Sequence, residues 1–413
     1  MNDTNTGLAS DESGPTVAVV LSGAAARGAF QAGALATLMP VFEREGLTPT
    51  IWLGTSAGSI NAVLWGAAAH LGAHGAAEEI LAVWEQMSDD DVYQPLPLSL
   101  PRTGLQYAAS FAGLGGGTTS LLDTTPLRRT ADEQLHTGQL AANIAEGLLT
   151  AVGVVATRMP AEPDNVVAGA ASGRSVLFLD EHDHEHADGK RYDGDPDRAL
   201  DVVRGALNPC HVLASSAIPV AFPPTRLTEP ATAAGWYVDG GIRLNTPLHP
   251  AVGLGATHVV VISATATTYS DPQPPHPDQP VPDIADAAAQ VLNAALADRT
   301  TEDIKALLRT NRLVGQTAEA GCQEVLTARS GRAYRQIKLM TVSPPAGRMG
   351  RIATRIFEKK TGGLGRISEL DNWLLGQAIR GAGDSVGRQE LLSYLFFDED
   401  YFKAGIELGR QMA

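Results

Sequence analysis

Residues 49–71, PTIWLGTSAGSINAVLWGAAAHL, decide how the chain is read. Pro49 to Leu53 (PTIWL) is a short apolar run with strand character, and Ala57 to Leu71 is a helical pattern whose small residues suit packing on a sheet. Between them, Gly54-Thr55-Ser56-Ala57-Gly58 fits G-x-S-x-G in the strand-to-helix setting that this motif requires. A serine on so sharp a turn points its hydroxyl out at the carboxyl edge of a sheet. Gly54 and Gly58 let strand and helix pass closely, and the helix N-terminus sets backbone N–H groups beside developing negative charge. An ordinary small-residue turn is the plain alternative, so the motif needs support from elsewhere in the chain.

Upstream, Thr16 to Ser22 (TVAVVLS) is the continuous apolar run of a strand buried on both faces of a parallel sheet, and a helical pattern follows over Ala29 to Glu45. This βαβα order specifies an α/β fold. Further strand-like runs are Ala151 to Thr157, Ser175 to Leu179, Trp236 to Val238, His258 to Ser263 and Tyr334 to Val342. Two stretches read as loops: Gly113 to Ser120 (GLGGGTTS), a candidate lid, and Asp271 to Pro282, whose prolines cannot join a sheet interior. Because Tyr334 to Val342 lies beyond the second loop and reads as one more strand of the same sheet, a single domain is expected. Its parts are a polar tail at 1–15, a core at 16–270, a Pro-rich loop at 271–282 and a helix-rich part with one further strand at 283–413.

With 413 residues and 44% hydrophobic content the chain can bury a large core, and its net charge of −15 argues against nucleic-acid binding, which needs clustered Lys and Arg. Cys210 and Cys322 are far apart and lack metal-ligand spacing, so buried thiols in a reduced compartment are expected. Met1 to Pro15 lacks the basic and apolar regions of a secretory signal, and the apolar stretch Ala251 to Ala266 is interrupted by His258. A soluble cytoplasmic protein is the expectation.

The turn Gly23-Ala24-Ala25-Ala26-Arg27-Gly28, between the first strand and the first helix, carries backbone N–H groups that could form an oxyanion hole. A dinucleotide phosphate loop would need G-x-G-x-x-G and an acidic residue ending the second strand, and neither is present. Further on, Asp239 follows the apolar Trp236-Tyr237-Val238 and precedes Gly240-Gly241, which places it at a strand end. Burial there would raise its pKa towards that of a useful base. A plain β-turn aspartate is the competing reading.

Four segments in this order, Gly23 to Gly28, Gly54 to Gly58, Ala214-Ser215-Ser216-Ala217-Ile218-Pro219 and Asp239-Gly240-Gly241, resemble the signature blocks of the patatin-like phospholipases, as does the tract Asn245-Thr246-Pro247-Leu248. The resemblance covers about residues 16 to 265, with weaker likeness at the strand near Tyr334 and in the last helix, Leu391 to Leu408. It implies a three-layer α/β/α sandwich with a mainly parallel central sheet and a helical C-terminal region. It also implies a Ser56–Asp239 dyad with no histidine, metal or cofactor, acting on a lipid or phospholipid acyl ester. One departure is that the family usually has glycine at the position of Ala24 and often at that of Ala25. A positive φ at either alanine would bring a strain of about 1 kcal/mol. By resemblance Arg27 steadies the loop; taken by itself it reads as a solvated arginine at a helix start.

Three other features invite chemistry. A Ser-His-Asp triad would nominate His249 or His258, though both have structural readings. His182, His184 and His186 alternate in the way of metal ligands on one face of a strand, in a hydrophilic stretch that reads as a hairpin tip. From Arg348 to Lys360, Met349, Ile352, Ile356 and Phe357 recur at helical spacing beside Arg348, Arg351, Arg355, Lys359 and Lys360, a pattern suited to peripheral membrane contact or to packing on the core. The expected activity is lipid acyl-ester hydrolysis through an acyl-Ser56 intermediate. Acyl transfer on the same dyad and a silent lipid-binding role are the alternatives.

Overall fold

A computed structural model of the protein describes residues 14–95, 120, 122–160, 173–182, 191–219, 221–267, 299–319, 334–361 and 386–413. Among these residues ten strands form one sheet: β1 (Val17–Leu21), β2 (Ile51–Thr55), β3 (Ala151–Arg158), β4 (Arg174–Glu181), β5 (Gly194–Asp195), β6 (Leu200–Arg204), β7 (Thr225–Leu227), β8 (Gly235–Asp239), β9 (His258–Ile262) and β10 (Lys338–Val342). The order across the sheet is β10-β9-β1-β2-β3-β4-β6-β5, and the first five of these run parallel. Every residue of β1 and β2 is buried, as continuous apolar runs covered on both faces must be. Beyond β3 the sheet turns mixed: β4 is antiparallel to β3, β6 is parallel to β4, and β8 is antiparallel to both β3 and β7.

Helices cover both faces. They are α1 (Gly28–Arg44), α2 (Ala57–Ala68), α3 (Gly72–Gln86), α4 (Thr125–Gln134), α5 (Thr137–Ala145), α6 (Pro209–Ser215), α7 (Leu248–Gly253), α8 (Arg299–Glu319), α9 (Arg348–Thr361), α10 (Val386–Leu395) and α11 (Glu399–Met412). One buried cluster joins α1, α2, α3, α9 and α11 to one face of the sheet through Phe30, Val63, Trp84, Phe357 and Phe402. A smaller cluster joins α7 and α8 to the other through Leu53, Val155, Leu248 and Ile304. The three-layer α/β/α sandwich is the result. Helix α11 lies directly on α1: a Cβ on Gly409 would stand 2.1 Å from the Phe30 carbonyl oxygen, and one on Gly33 would stand 2.1 Å from that of Ile406.

Several boundaries differ from the sequence reading. The second strand runs on to Thr55, because Gly54 and Thr55 continue the pairing with β3. The strand expected from Tyr334 begins at Lys338. The last helical pattern is two helices, broken at Phe396-Phe397-Asp398, where the Asp398 carboxylate caps α11 through the amides of Asp400 and Tyr401. Strand β6 carries Asp201 and Arg204 and is only half-buried, so it lacks the apolar signature that marks β1 and β2. In α9, Met349, Ala353 and Phe357 are buried in the core and Ile352 and Ile356 pack against it. The apolar stripe therefore faces the protein, and Arg348, Arg351, Arg355, Lys359 and Lys360 stand outside. Most of the tail at 1–15, the candidate lid from Gly113 to Thr119, the loop at 271–282, His184, His186 and Cys322 lie outside the described residues.

Candidate active site

One edge of β3 is shared by two strands that run towards each other. Strand β2 pairs with Ala151 to Val155, its last partner being Thr55 on Val155. Strand β8 pairs with Ala156 to Arg158, its last partner being Asp239 on Ala156. The ends of β2 and β8 therefore meet head-on, and the residue leaving the first, Ser56, confronts the residue ending the second, Asp239. Contact is close: a Cβ on Gly240 would stand 2.2 Å from the Val155 carbonyl oxygen.

Ser56 is the N-cap of α2, with φ 54° and ψ −130°, a conformation that a residue with a side chain rarely adopts. Several contacts hold it there. Its amide donates to Ser215 Oγ at 2.8 Å, and Ser215 Oγ donates in turn to the Val155 carbonyl at 2.5 Å. Its carbonyl accepts from Ser59 Oγ at 2.6 Å and from the Ser59 amide at 2.8 Å. The flanking glycines are sterically required, since a Cβ on Gly54 would stand 2.2 Å from the Gly58 carbonyl oxygen and one on Gly58 would stand 2.5 Å from that of Leu21. Ser56 is 4% exposed, at the positive end of the α2 dipole, beside the first-turn amides of Ala57 and Gly58.

Asp239 is 5% exposed and its backbone is held on both sides, its amide donating to the Ala217 carbonyl at 2.8 Å and its carbonyl accepting from Thr157 Oγ1 at 3.0 Å. The carboxylate accepts from the Gly241 amide at 2.7 Å, and the Ser56 hydroxyl lies near enough to favour its ionised form. Burial pushes its pKa up to about 6, against the opposing pull of those two groups. A carboxylate so placed is deprotonated at neutral pH yet basic enough to take a proton from the hydroxyl beside it.

The loop Gly23 to Gly28 closes over the serine: a Cβ on Gly23 would stand 3.4 Å from Ser56 Cβ. Its donors are divided. The Gly23 amide donates to the Asn245 carbonyl at 3.1 Å, the Arg27 amide to the Ala24 carbonyl at 3.0 Å, and the Gly28 amide to the Ala25 carbonyl. Among the described residues the amides of Ala24 and Ala25 meet no acceptor. Ala24 has φ −139°, open to any residue, whereas Ala25 has φ 47°, the left-handed region that favours glycine. The loop thus keeps a glycine-type turn in spite of its alanines. Arg27 is not solvated: it is 2% exposed and bonded into α10.

A family model described as patatin-like phospholipase matches residues 19–252, more than half of the chain, including the loop Gly23 to Gly28, the serine turn and Asp239. The chain belongs to the patatin-like phospholipase family. No curated protein matches it. Among solved structures, that of VipD from Legionella pneumophila is similar at 13% identity, with a TM-score of 0.33 over 92% of this chain and 67% of that one, a likeness too loose to carry an argument. In this member of the family His258 begins β9, at the edge of the sheet opposite Ser56, with its Nδ1 2.9 Å from Thr257 Oγ1. His249 stands 3.5 Å from Asp195. Among the described residues no group of His, Cys, Asp or Glu could hold a metal ion, and no helix is long and apolar enough to cross a membrane.

Sequence reading missed the buried polar lattice beneath the site. Asn61 Nδ2 donates to the Gly28 carbonyl at 3.0 Å and to Gln31 Oε1 at 3.1 Å, Gln31 Nε2 donates to the Ser22 carbonyl at 2.8 Å, and Trp84 Nε1 donates to Asn61 Oδ1 at 2.7 Å. It ties the start of α1 to α2, α3 and the end of β1. The available signal was the presence of Gln31 and Asn61 inside otherwise apolar helices, where a polar side chain must find a partner.

Proposed function

We propose that the protein is a lipid acyl-ester hydrolase, of phospholipase A or lysophospholipase type, working through an acyl-Ser56 intermediate with Asp239 as general base. The observation that carries this reading is that the ends of β2 and β8 meet along β3, so that two buried groups, Ser56 and a carboxylate whose pKa burial has raised to about 6, face each other. Ser56 Oγ attacks the acyl carbon as its proton passes to Asp239. The negative charge that develops on the carbonyl oxygen is met by the amides of Ala24 and Ala25 and by the first turn of α2. Collapse expels the alcohol, which takes the proton from Asp239 and leaves the acyl group on Ser56. Water then gives a proton to Asp239 and attacks the ester. The second collapse returns that proton to Ser56 Oγ and releases the carboxylic acid.

The turn at Ala25 supports a working loop over a silent one, because the glycine-type backbone persists where alanine stands. Contact with a lipid surface is proposed through the basic outer side of α9, which leaves the carboxyl edge of β10, and not through its buried apolar side. The test is turnover of a chromogenic short-chain ester and then of phospholipid vesicles. Ser56→Ala and Asp239→Asn are each expected to lose activity by at least a thousandfold, and full turnover in either refutes the dyad.

A further inference from the structure

Arg27 ends the loop over Ser56, yet nearly all of its side-chain partners lie more than three hundred residues away. Nε donates to Ser393 Oγ at 2.9 Å, and Nη1 donates to the Ala264 carbonyl at 3.4 Å. Nη2 donates to the Glu390 carbonyl at 3.2 Å, to the Glu390 carboxylate and to Ser393 Oγ. The guanidinium carbon stands 3.8 Å from the centroid of the Tyr394 ring. Ser393 Oγ donates its own hydrogen to the Glu390 carbonyl at 2.6 Å, so its lone pairs are left to face the guanidinium. Ser393 and Tyr394 are fully buried, and Glu390, Ser393 and Tyr394 all belong to α10, beyond the span matched by the family model.

The loop requires an external hold. Ala25 sits in a left-handed conformation that disfavours a side chain, and the amides of Ala24 and Ala25 meet no acceptor among the described residues. The strained turn is pinned at one end by the Gly23 amide on the Asn245 carbonyl and at the other by the Arg27 side chain. We propose that Glu390 and Ser393 are positioning residues for the oxyanion loop, holding its amides in register with Ser56 by clamping Arg27. The C-terminal helices are thereby a working part of the active site. Helix α11 reinforces the clamp, because it follows α10 directly and packs backbone against backbone on α1, which Arg27 caps.

The inference rests on the hydrolase reading for its kinetic consequence but not for the order of the loop, and the experiment separates the two. Glu390→Gln keeps the shape and an acceptor but removes the charge, while Ser393→Ala removes acceptor lone pairs without stranding a buried ion. Glu407→Gln, on the exposed side of α11, is the control. Turnover of p-nitrophenyl butyrate and amide hydrogen exchange of residues 23–28 are measured on the full chain. Both clamp variants are expected to lower kcat at least tenfold with KM within twofold, and to speed exchange at least tenfold at the hydrogen-bonded loop amides of Gly23, Arg27 and Gly28. Exchange in β1 and β9 and the Glu407→Gln variant should match the wild type. A folded Ser393→Ala or Glu390→Gln protein with unchanged exchange at Gly23, Arg27 and Gly28 overturns the clamp. Wild-type protein that turns over no ester overturns the hydrolase reading alone, and the exchange measurement still decides the clamp.

Discussion

Replacing Asp239 by asparagine should make the protein more stable while making it inactive. Burial raises the Asp239 carboxyl from its ordinary 3.8 to about 6, even though the Ser56 hydroxyl and the Gly241 amide both favour the ionised form. A tenfold change in an ionisation constant is worth about 1.4 kcal/mol, so holding this group ionised at pH 8 destabilises the fold by about 3 kcal/mol. The native state binds the proton more tightly than the unfolded chain. The carboxyl's contribution to stability is therefore fully present below about pH 4 and is lost as pH rises through about 6. Asparagine has nearly the same shape, keeps an acceptor for Gly241, can donate to Ser56 Oγ and carries no charge. We expect the variant to be more stable than wild type by about 2 to 3 kcal/mol at pH 8 and equal to it at pH 4, with the gap opening between. Urea unfolding at pH 4, 5, 6 and 8 measures this. An offset independent of pH, or a variant no more stable than wild type at pH 8, refutes burial as the cause of the raised pKa.

Ester turnover by the wild type should rise with pH through about 6 and level off above it, since the base must be deprotonated; at pH 5, kcat/KM falls about tenfold, and a profile flat from pH 5 to 8 contradicts Asp239 as base. Ala25→Gly relieves a positive φ and should stabilise by up to about 1 kcal/mol in urea unfolding, whereas Ala24→Gly, at φ −139°, brings no gain. Ser215→Ala strands the Ser56 amide and the Val155 carbonyl, both buried, so about 1 to 3 kcal/mol of stability should be lost, with kcat reduced more than KM is changed.

Much of this site was legible because its devices are local. A serine that must adopt φ 54° between a strand and a helix needs Gly54 and Gly58 beside it, and that need is written in five consecutive residues. The buried runs of β1 and β2 are equally local, since a strand covered on both faces must be apolar throughout. Arg27 shows the limit of such reading. As a residue it is indistinguishable from a solvated arginine opening a helix, and only contact with Glu390 and Ser393 makes it a buried one. The same holds for the apolar stripe of α9, whose periodicity is identical whether lipid or the protein core covers it.

The sequence by itself determined the α/β order, the serine turn, the loop before the first helix and the aspartate closing a strand, because each follows from the covalent neighbours of the residue concerned. Tertiary structure alone decided that β2 and β8 meet head-on along β3, which brings Ser56 against Asp239 and buries the carboxylate. It also decided which loop amides remain without acceptors among the described residues and which helix grips Arg27. These depend on contacts between segments tens to hundreds of residues apart, and a pattern of neighbours along the chain holds no record of them.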